Sequence, residues 1–252
     1  MVYAILLCAV ASLSTGLGGV IVALCPRMTK RTLCISQGFA AGVMLGISFL
    51  DMLPKSFQSF AQTGGVFIAA AKMSVLFGAG WLAAVLMAKV VVPKQEPQTQ
   101  KDFAAAKRLC AVTTAVIVLH NLPEGMLTSF SGYGDLNFGF HIAFAVAMHN
   151  IPEGMAVASS ALYISSSKTK AVLQSFGAGM AELAGGAAAL LLMHSFITPS
   201  LLCGVLAVIS GLMIQVSAAE LMPNGAKIYS FKAVFAGMWA GVAAITIGML
   251  II

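Results

Sequence analysis

The chain has 252 residues, 60% of them apolar and 9% charged, with a formal net charge of +6. A soluble domain carries about a quarter of its residues as charge, so water is excluded as the main solvent of this surface. Lipid remains, and in lipid the backbone must bond to itself as helices or a closed barrel.

The apolar runs are about twenty residues long and lack apolar/polar alternation, which selects helices. Eight spans are expected, roughly 2–24, 35–53, 65–92, 109–131, 138–163, 171–196, 199–222 and 232–252, in one all-α transmembrane domain over residues 1–252. The first has no basic residue before it and is long for a signal-peptide core, so it reads as a true span. Between spans 3 and 4, residues 93–108 hold Pro93, Pro97, Gln95, Gln98 and Gln100 and read as a flexible cytosolic loop.

Twelve Lys and Arg lie in or beside the loops after spans 1, 3, 5 and 7, against only Lys55 and Lys72 on the opposite side. The positive-inside rule then places both termini outside the cytosol, in a plasma or inner membrane. The net charge thus reflects topology and contact with anionic headgroups, with no sign of nucleic-acid binding. Lys72 and Lys89 read as snorkelling residues. The five cysteines form no CxxC pair and read as small apolar residues.

Against this background His120, Glu124, His149, Glu153 and Glu182 stand out, because a charge inside a span costs several kcal/mol. His120, His149 and Glu182 each fall about eleven residues into their spans, about 16 Å along a helix and half of a hydrocarbon core about 30 Å thick. All three groups therefore arrive near the midplane. The string His120-Asn121-Leu122-Pro123-Glu124-Gly125 recurs as His149-Asn150-Ile151-Pro152-Glu153-Gly154. At about 100° per residue, each carboxylate lies between the imidazole and the amide of its own motif. Pro123 and Pro152 cannot donate to the carbonyls of Leu119 and Met148, and Gly125 and Gly154 permit close helix approach.

His nitrogen with carboxylate and amide oxygen, and no thiolate, suits Zn²⁺, Fe²⁺, Mn²⁺, Co²⁺ or Cd²⁺. The pattern allows one ion or a binuclear arrangement with Glu124 or Glu153 as the bridge. Three carboxylates exceed the charge of one divalent ion, so metal binding is expected to be linked to protons.

A second symmetry is shorter. Leu50-Asp51-Met52-Leu53-Pro54 closes span 2 and Ala219-Glu220-Leu221-Met222-Pro223 closes span 7, each an acid, two apolar residues and a proline. The acids fall at opposite mouths, as in an inverted repeat of spans 1–3 against 6–8 around a central pair 4–5. Asp51 and Glu220 then read either as cation way-stations or as helix caps in the headgroup region. Met44 is open to two readings, a thioether facing the site and an ordinary core residue. His141 and His194 read as interfacial, and Asp135 as a solvated residue of an outer loop.

The paired motifs, with Ala181-Glu182-Leu183-Ala184-Gly185-Gly186, make the whole chain resemble the ZIP (Zrt/Irt-like) family of metal transporters. Phe49 to Pro54 and Ser217 to Pro223 bring it closest to the prokaryotic zinc-uptake branch. The resemblance implies eight spans in a 3+2+3 arrangement, outside termini, and broad divalent uptake by an elevator-like or rocking alternation, often in a homodimer. It implies His120, Asn121, Glu124, His149, Asn150, Glu153 and Glu182 as ligands of the transported metal, with Met44 matching a ligand that some members take from the second span. Many members carry a histidine-rich loop after span 3, whereas residues 93–108 contain no histidine. No phosphate-binding loop or other ATPase signature is present, so a gradient is expected to drive transport and no prosthetic group is expected. The alternative is an intramembrane zinc hydrolase, which needs an open water position on a fixed metal and a glutamate base. The HExxH arrangement of such sites is missing.

Overall fold

A computed structural model of the chain describes residues 1–25, 27–91, 101–134, 136–193 and 198–251. Their regular structure is entirely helical: α1 (Val2–Leu24), α2 (Lys30–Ile47), α3 (Leu53–Val91), α4 (Lys101–Gly134), α5 (Leu136–Ser165), α6 (Lys168–Ala188), α7 (Pro199–Val216), α8 (Met222–Ile228) and α9 (Phe231–Ile251). Three π turns, Ser48–Met52, Ala189–Met193 and Ser217–Leu221, prolong α2, α6 and α7. Five stretches of the described residues are long and apolar enough to cross a membrane: Val2–Leu24, Lys30–Lys89, Cys110–Tyr133, Ser200–Ile228 and Phe231–Leu250. The chain is a multi-pass membrane protein.

The second stretch, 60 residues long, is broken at Gly65, whose φ of 78° and ψ of 170° are non-helical. Only glycine adopts that backbone without strain. The chain reverses there. Ser48 and Met44 of the α2 rod meet Met213 and Ser217 in antiparallel order, whereas the later part of α3 runs along α7, with Leu76 beside Gly204 and Gly80 against Val208.

Helix starts are set by side-chain caps. Thr29, Ser167 and Thr198 accept from the N–H groups of Thr32, Lys170 and Leu201 at 3.1, 3.3 and 3.2 Å, satisfying donors a first turn leaves open. Capping starts α2 earlier than the apolar pattern predicts. Residues 101–108, expected as loop, form the opening turns of α4 instead. Their three alanines with Lys101, Lys107 and Arg108 are strong helix formers, and a polar helix can run on beyond the bilayer. The rest of the expected loop through Gln100, together with Asp135 and His194, lies outside the described residues.

The helices form two groups. In one, α1 lies parallel to α5 and antiparallel to α6, while α4 lies parallel to α6 and antiparallel to α5. In the other, α2 pairs with α9 and α3 with α7. Glycines bring backbones together within each group. A Cβ on Gly154 would run into the carbonyl oxygen of Thr15, and one on Gly125 into that of Glu182. Close small-residue contact of this kind replaces the hydrophobic effect, which lipid does not supply between helices. Lys72, expected to snorkel, folds over the Phe60 ring at 5.8 Å from its centroid.

These contacts predict a contrast between two glycines of the first group. Gly154→Ala should lower the melting temperature in detergent by several degrees, because α1 and α5 must separate. A Cβ at Gly177 meets nothing within 4 Å, so Gly177→Ala should be neutral or stabilise by up to about 1 kcal/mol. Equal melting curves for the two variants would contradict the packing described.

Candidate metal centre

Helices α4 and α5 cross with their repeated motifs facing. His120, Asn121, Glu124, His149, Asn150, Glu153 and Glu182 are each at most 2% exposed. The sequence pattern puts each glutamate beside the histidine of its own motif, but the contacts run across the two helices. His120 Nε2 lies 2.9 Å from Glu153 Oε2, and His149 Nε2 lies 3.2 Å from Glu124 Oε1. Donor atoms of His120, Glu124 and Glu153 all fall within 4.8 Å of one another, a spacing one metal ion could span. The antiparallel crossing produces this exchange, since moving up one motif means moving down the other.

The asparagines are oriented by backbone. Asn121 Nδ2 donates to Ala178 O at 3.1 Å, and Asn150 Nδ2 donates to Ala11 O at 3.0 Å and to Glu182 Oε2 at 2.6 Å. Each amide oxygen is thereby left without a partner. With them, one atom of each residue in the set is unpartnered: His120 Nδ1, Asn121 Oδ1, Glu124 Oε2, His149 Nδ1, Asn150 Oδ1, Glu153 Oε1 and Glu182 Oε1. An unpartnered buried polar atom costs about 1–3 kcal/mol. Seven such atoms on the two repeated motifs and Glu182 are of types that can ligate a divalent ion, and those of His120, Glu124 and Glu153 belong to residues close enough to share one.

The remaining expected residues lie around this set. Met44 is fully buried in the apolar core, and its Sδ accepts from Ser217 Oγ at 3.5 Å. Asp51 and Glu220 sit in the two π turns closed by Leu53 N–H to Ser48 O and Met222 N–H to Ser217 O. A cavity of about 280 Å³ reaches from Glu124 and His149 to Asp51, Lys55 and His141. The cysteines at 8, 25, 34, 110 and 203 are free thiols.

Three features go beyond what the sequence pattern predicts. Lys55 pairs with Asp51 at 2.7 Å, and Asn224 donates to Glu220 at 2.9 Å; the i,i+4 spacing of each pair is the signal for them in the sequence. Thr15 is the third. Its carbonyl meets Gly154 as that of Glu182 meets Gly125, so the position matching Glu182 on the other side carries a neutral side chain, with its buried Oγ1 unpartnered.

An all-helical multi-pass chain with this buried donor set has the architecture of the membrane proteins that handle metal ions within the bilayer. No family model matches the chain. It is 32% identical over 259 residues to the zinc transporter ZupT of Chlorobium luteolum, covering 99% of this chain and 97% of that one. It is 36% identical over 234 residues to the zinc transporter ZupT of Escherichia coli, covering 89% and 87%, and 30% identical over 262 residues to that of Chlorobium chlorochromatii, covering 100% and 98%. The chain therefore belongs to the ZIP (Zrt/Irt-like) family and groups with its ZupT zinc transporters.

The asparagine contacts predict unequal losses. Asn150→Ala should lower the melting temperature in chelator further than Asn121→Ala, because Asn150 serves Ala11 and Glu182 whereas Asn121 serves Ala178. Truncating a buried donor costs about 1–3 kcal/mol per acceptor left open. Equal losses would mean that Asn150 does not hold Glu182.

Proposed function

We propose that the chain is a secondary transporter that carries divalent cations, zinc foremost, into the cytosol by alternating access. Fe²⁺, Mn²⁺, Co²⁺ and Cd²⁺ share the required ligand chemistry. The observation that carries the proposal is the set of seven buried, unpartnered donor atoms on α4, α5 and α6. His120, Asn121, Glu124, His149, Asn150, Glu153 and Glu182 hold the metal, with one or two ions and Glu124 or Glu153 as the bridge. Asp51 and Glu220 are stations on the path, and Met44 lies beside it.

The topology proposed is eight spans in a 3+2+3 inverted repeat within a single domain, with both termini outside the cytosol. Matching contacts in the two halves support it. Gly18 and Gly185 meet the carbonyls of Ile151 and Leu122, and Ala11 and Ala178 receive the amides of Asn150 and Asn121. Ser48 and Ser217 each donate to the methionine four residues before the other, at 4.0 and 3.5 Å. Inverted repeats supply two related conformations open to opposite sides. The cavity joining His149 and Glu124 to Asp51 supports an outward-open form. No observation favours the hydrolase alternative.

Uptake of Zn²⁺ into proteoliposomes tests the proposal. His120→Ala, Glu153→Ala and Glu182→Ala should each lower uptake at least about 10-fold, the scale expected when metal coordination is disturbed; parent-like uptake by all three would show that the site is wrong. Ligands must be deprotonated to bind metal, and each His–Glu contact shares a proton that the metal displaces. Apparent metal affinity should therefore weaken as pH falls from 8 to 5, measured by competition with a metal dye.

A further inference from the structure

The two π turns carry the same clasp with one chemical difference. Asp51 and Lys55 stand one helical turn apart, as do Glu220 and Asn224, and both members of each pair occupy matching places in the two half-repeats. Lys55 Nζ lies 2.7 Å from Asp51 Oδ1, with the two side chains 52% and 29% exposed. Asn224 Nδ2 lies 2.9 Å from Glu220 Oε2, and Glu220 is 6% exposed. An amide donor steadies a carboxylate and leaves its charge in place. An ammonium group cancels that charge. The clasp at Asp51 thus places a cation on its acid, whereas the clasp at Glu220 uses a neutral amide.

Lys55 and Asp51 line the same cavity as Glu124 and His149 of the metal centre, and His141 lines it too. His141 Nδ1 donates to Asn137 O at 2.7 Å. A carbonyl oxygen can only accept, so Nδ1 carries the hydrogen, and in the neutral ring Nε2 then holds the lone pair a metal needs. The mouth thus offers a carboxylate and an imidazole nitrogen to an arriving ion, with a lysine seated on the carboxylate.

We propose that Lys55 is a tethered competitor for Asp51, displaced each time a divalent ion is captured at this mouth by Asp51 and His141. The inference rests on the metal-transport reading above and adds to it the residue that sets the capture affinity. No bond is made or broken beyond the exchange of one cation for another on the carboxylate, with the ammonium group moving into the aqueous cavity. A divalent ion wins the exchange because it carries twice the charge and gains the imidazole as a second ligand. Because half-exposed ion pairs are weak, Lys55 raises the metal concentration required by a factor of about 2 to 5 rather than blocking the path.

The half-repeat supplies its own test substitution, Lys55→Asn, which copies the clasp at Glu220. Initial rates of Zn²⁺ uptake should be measured in proteoliposomes holding the full chain as parent, K55N, K55R, D51N and the double variant D51N/K55N. K55N should lower KM about 2- to 5-fold, while K55R, whose planar fork holds a carboxylate more firmly, should raise it. D51N should raise KM, and adding K55N to D51N should change nothing further. An unchanged KM in both K55N and K55R overturns the proposal. So does an equal fall in KM when K55N is placed in the D51N background, since the lysine would then act through its general positive potential. These outcomes are separate from failure of the transport reading: saturable parent uptake that ignores Lys55 removes this inference alone, whereas a parent without uptake removes both.

Discussion

Hydrocarbon offers no hydrogen bonds, so every polar atom placed in a membrane interior must find a partner inside the protein or remain costly. In this chain the helices satisfy most backbone groups internally, and unpartnered side-chain atoms are concentrated on the ionisable and amide residues of the repeated motifs. Around α4 and α5, seven residues each keep one buried donor atom unpartnered while their other polar atoms are tied down. The surrounding packing follows from that need. Helices α1 and α6 press against α4 and α5 through glycines, keeping lipid away from the charges. The amides of Asn121 and Asn150 are spent on the carbonyls of Ala178 and Ala11, which turns their oxygens inward.

The site takes its geometry from the repeated motif. Two copies of one motif on antiparallel helices put each histidine against the other copy's glutamate, so the pairs are crossed. Two positions depart from that symmetry. Glu182 has Thr15 as its counterpart, so the negative charge leans toward Asn150. Lys55 has Asn224 as its counterpart, so one acid is clasped by an ammonium group and the other by an amide. These substitutions give matching positions different chemistry, whereas the direction of net transport in a gradient-driven carrier is set by the gradient.

Much of this is legible in the sequence. Helical spacing and depth bring the HNxPEG residues and Glu182 to one place, because a membrane interior tolerates a charge only beside a partner, a cavity or a bound ion. The crossed pairing is not legible, since angular position on one helix says nothing about which neighbour faces it. Spans through α5 and α6 are expected, yet these helices are not among the stretches apolar enough to cross a membrane by composition. They carry His149, Asn150, Glu153 and Glu182, and the surrounding helices rather than lipid solvate them. The start of α4 is hidden because the glutamines and prolines before Lys101 make residues 101–108 look like a continuation of the loop. His141 looks interfacial in the sequence, since only the cavity wall connects it to Asp51.

The glycine contacts have a mechanical side. Within each helix group, backbone meets backbone at Gly18, Gly125, Gly154 and Gly185 in one and at Gly38, Gly42, Gly80 and Gly211 in the other. Between the groups the only such neighbour among the described glycines is the flexible end of Met148 beside Gly248, in ordinary contact. Gln37 adds a polar tie, donating to Ala156 O and Ser160 Oγ at 2.9 and 3.0 Å. Close backbone contacts tie each group internally, whereas the groups meet through a shared buried core of side chains that includes Val43, Met44, Ile117 and Val157. Sequence drift should therefore be borne unevenly: at these glycines a single added methyl meets a neighbouring backbone, whereas along the boundary it meets side chains.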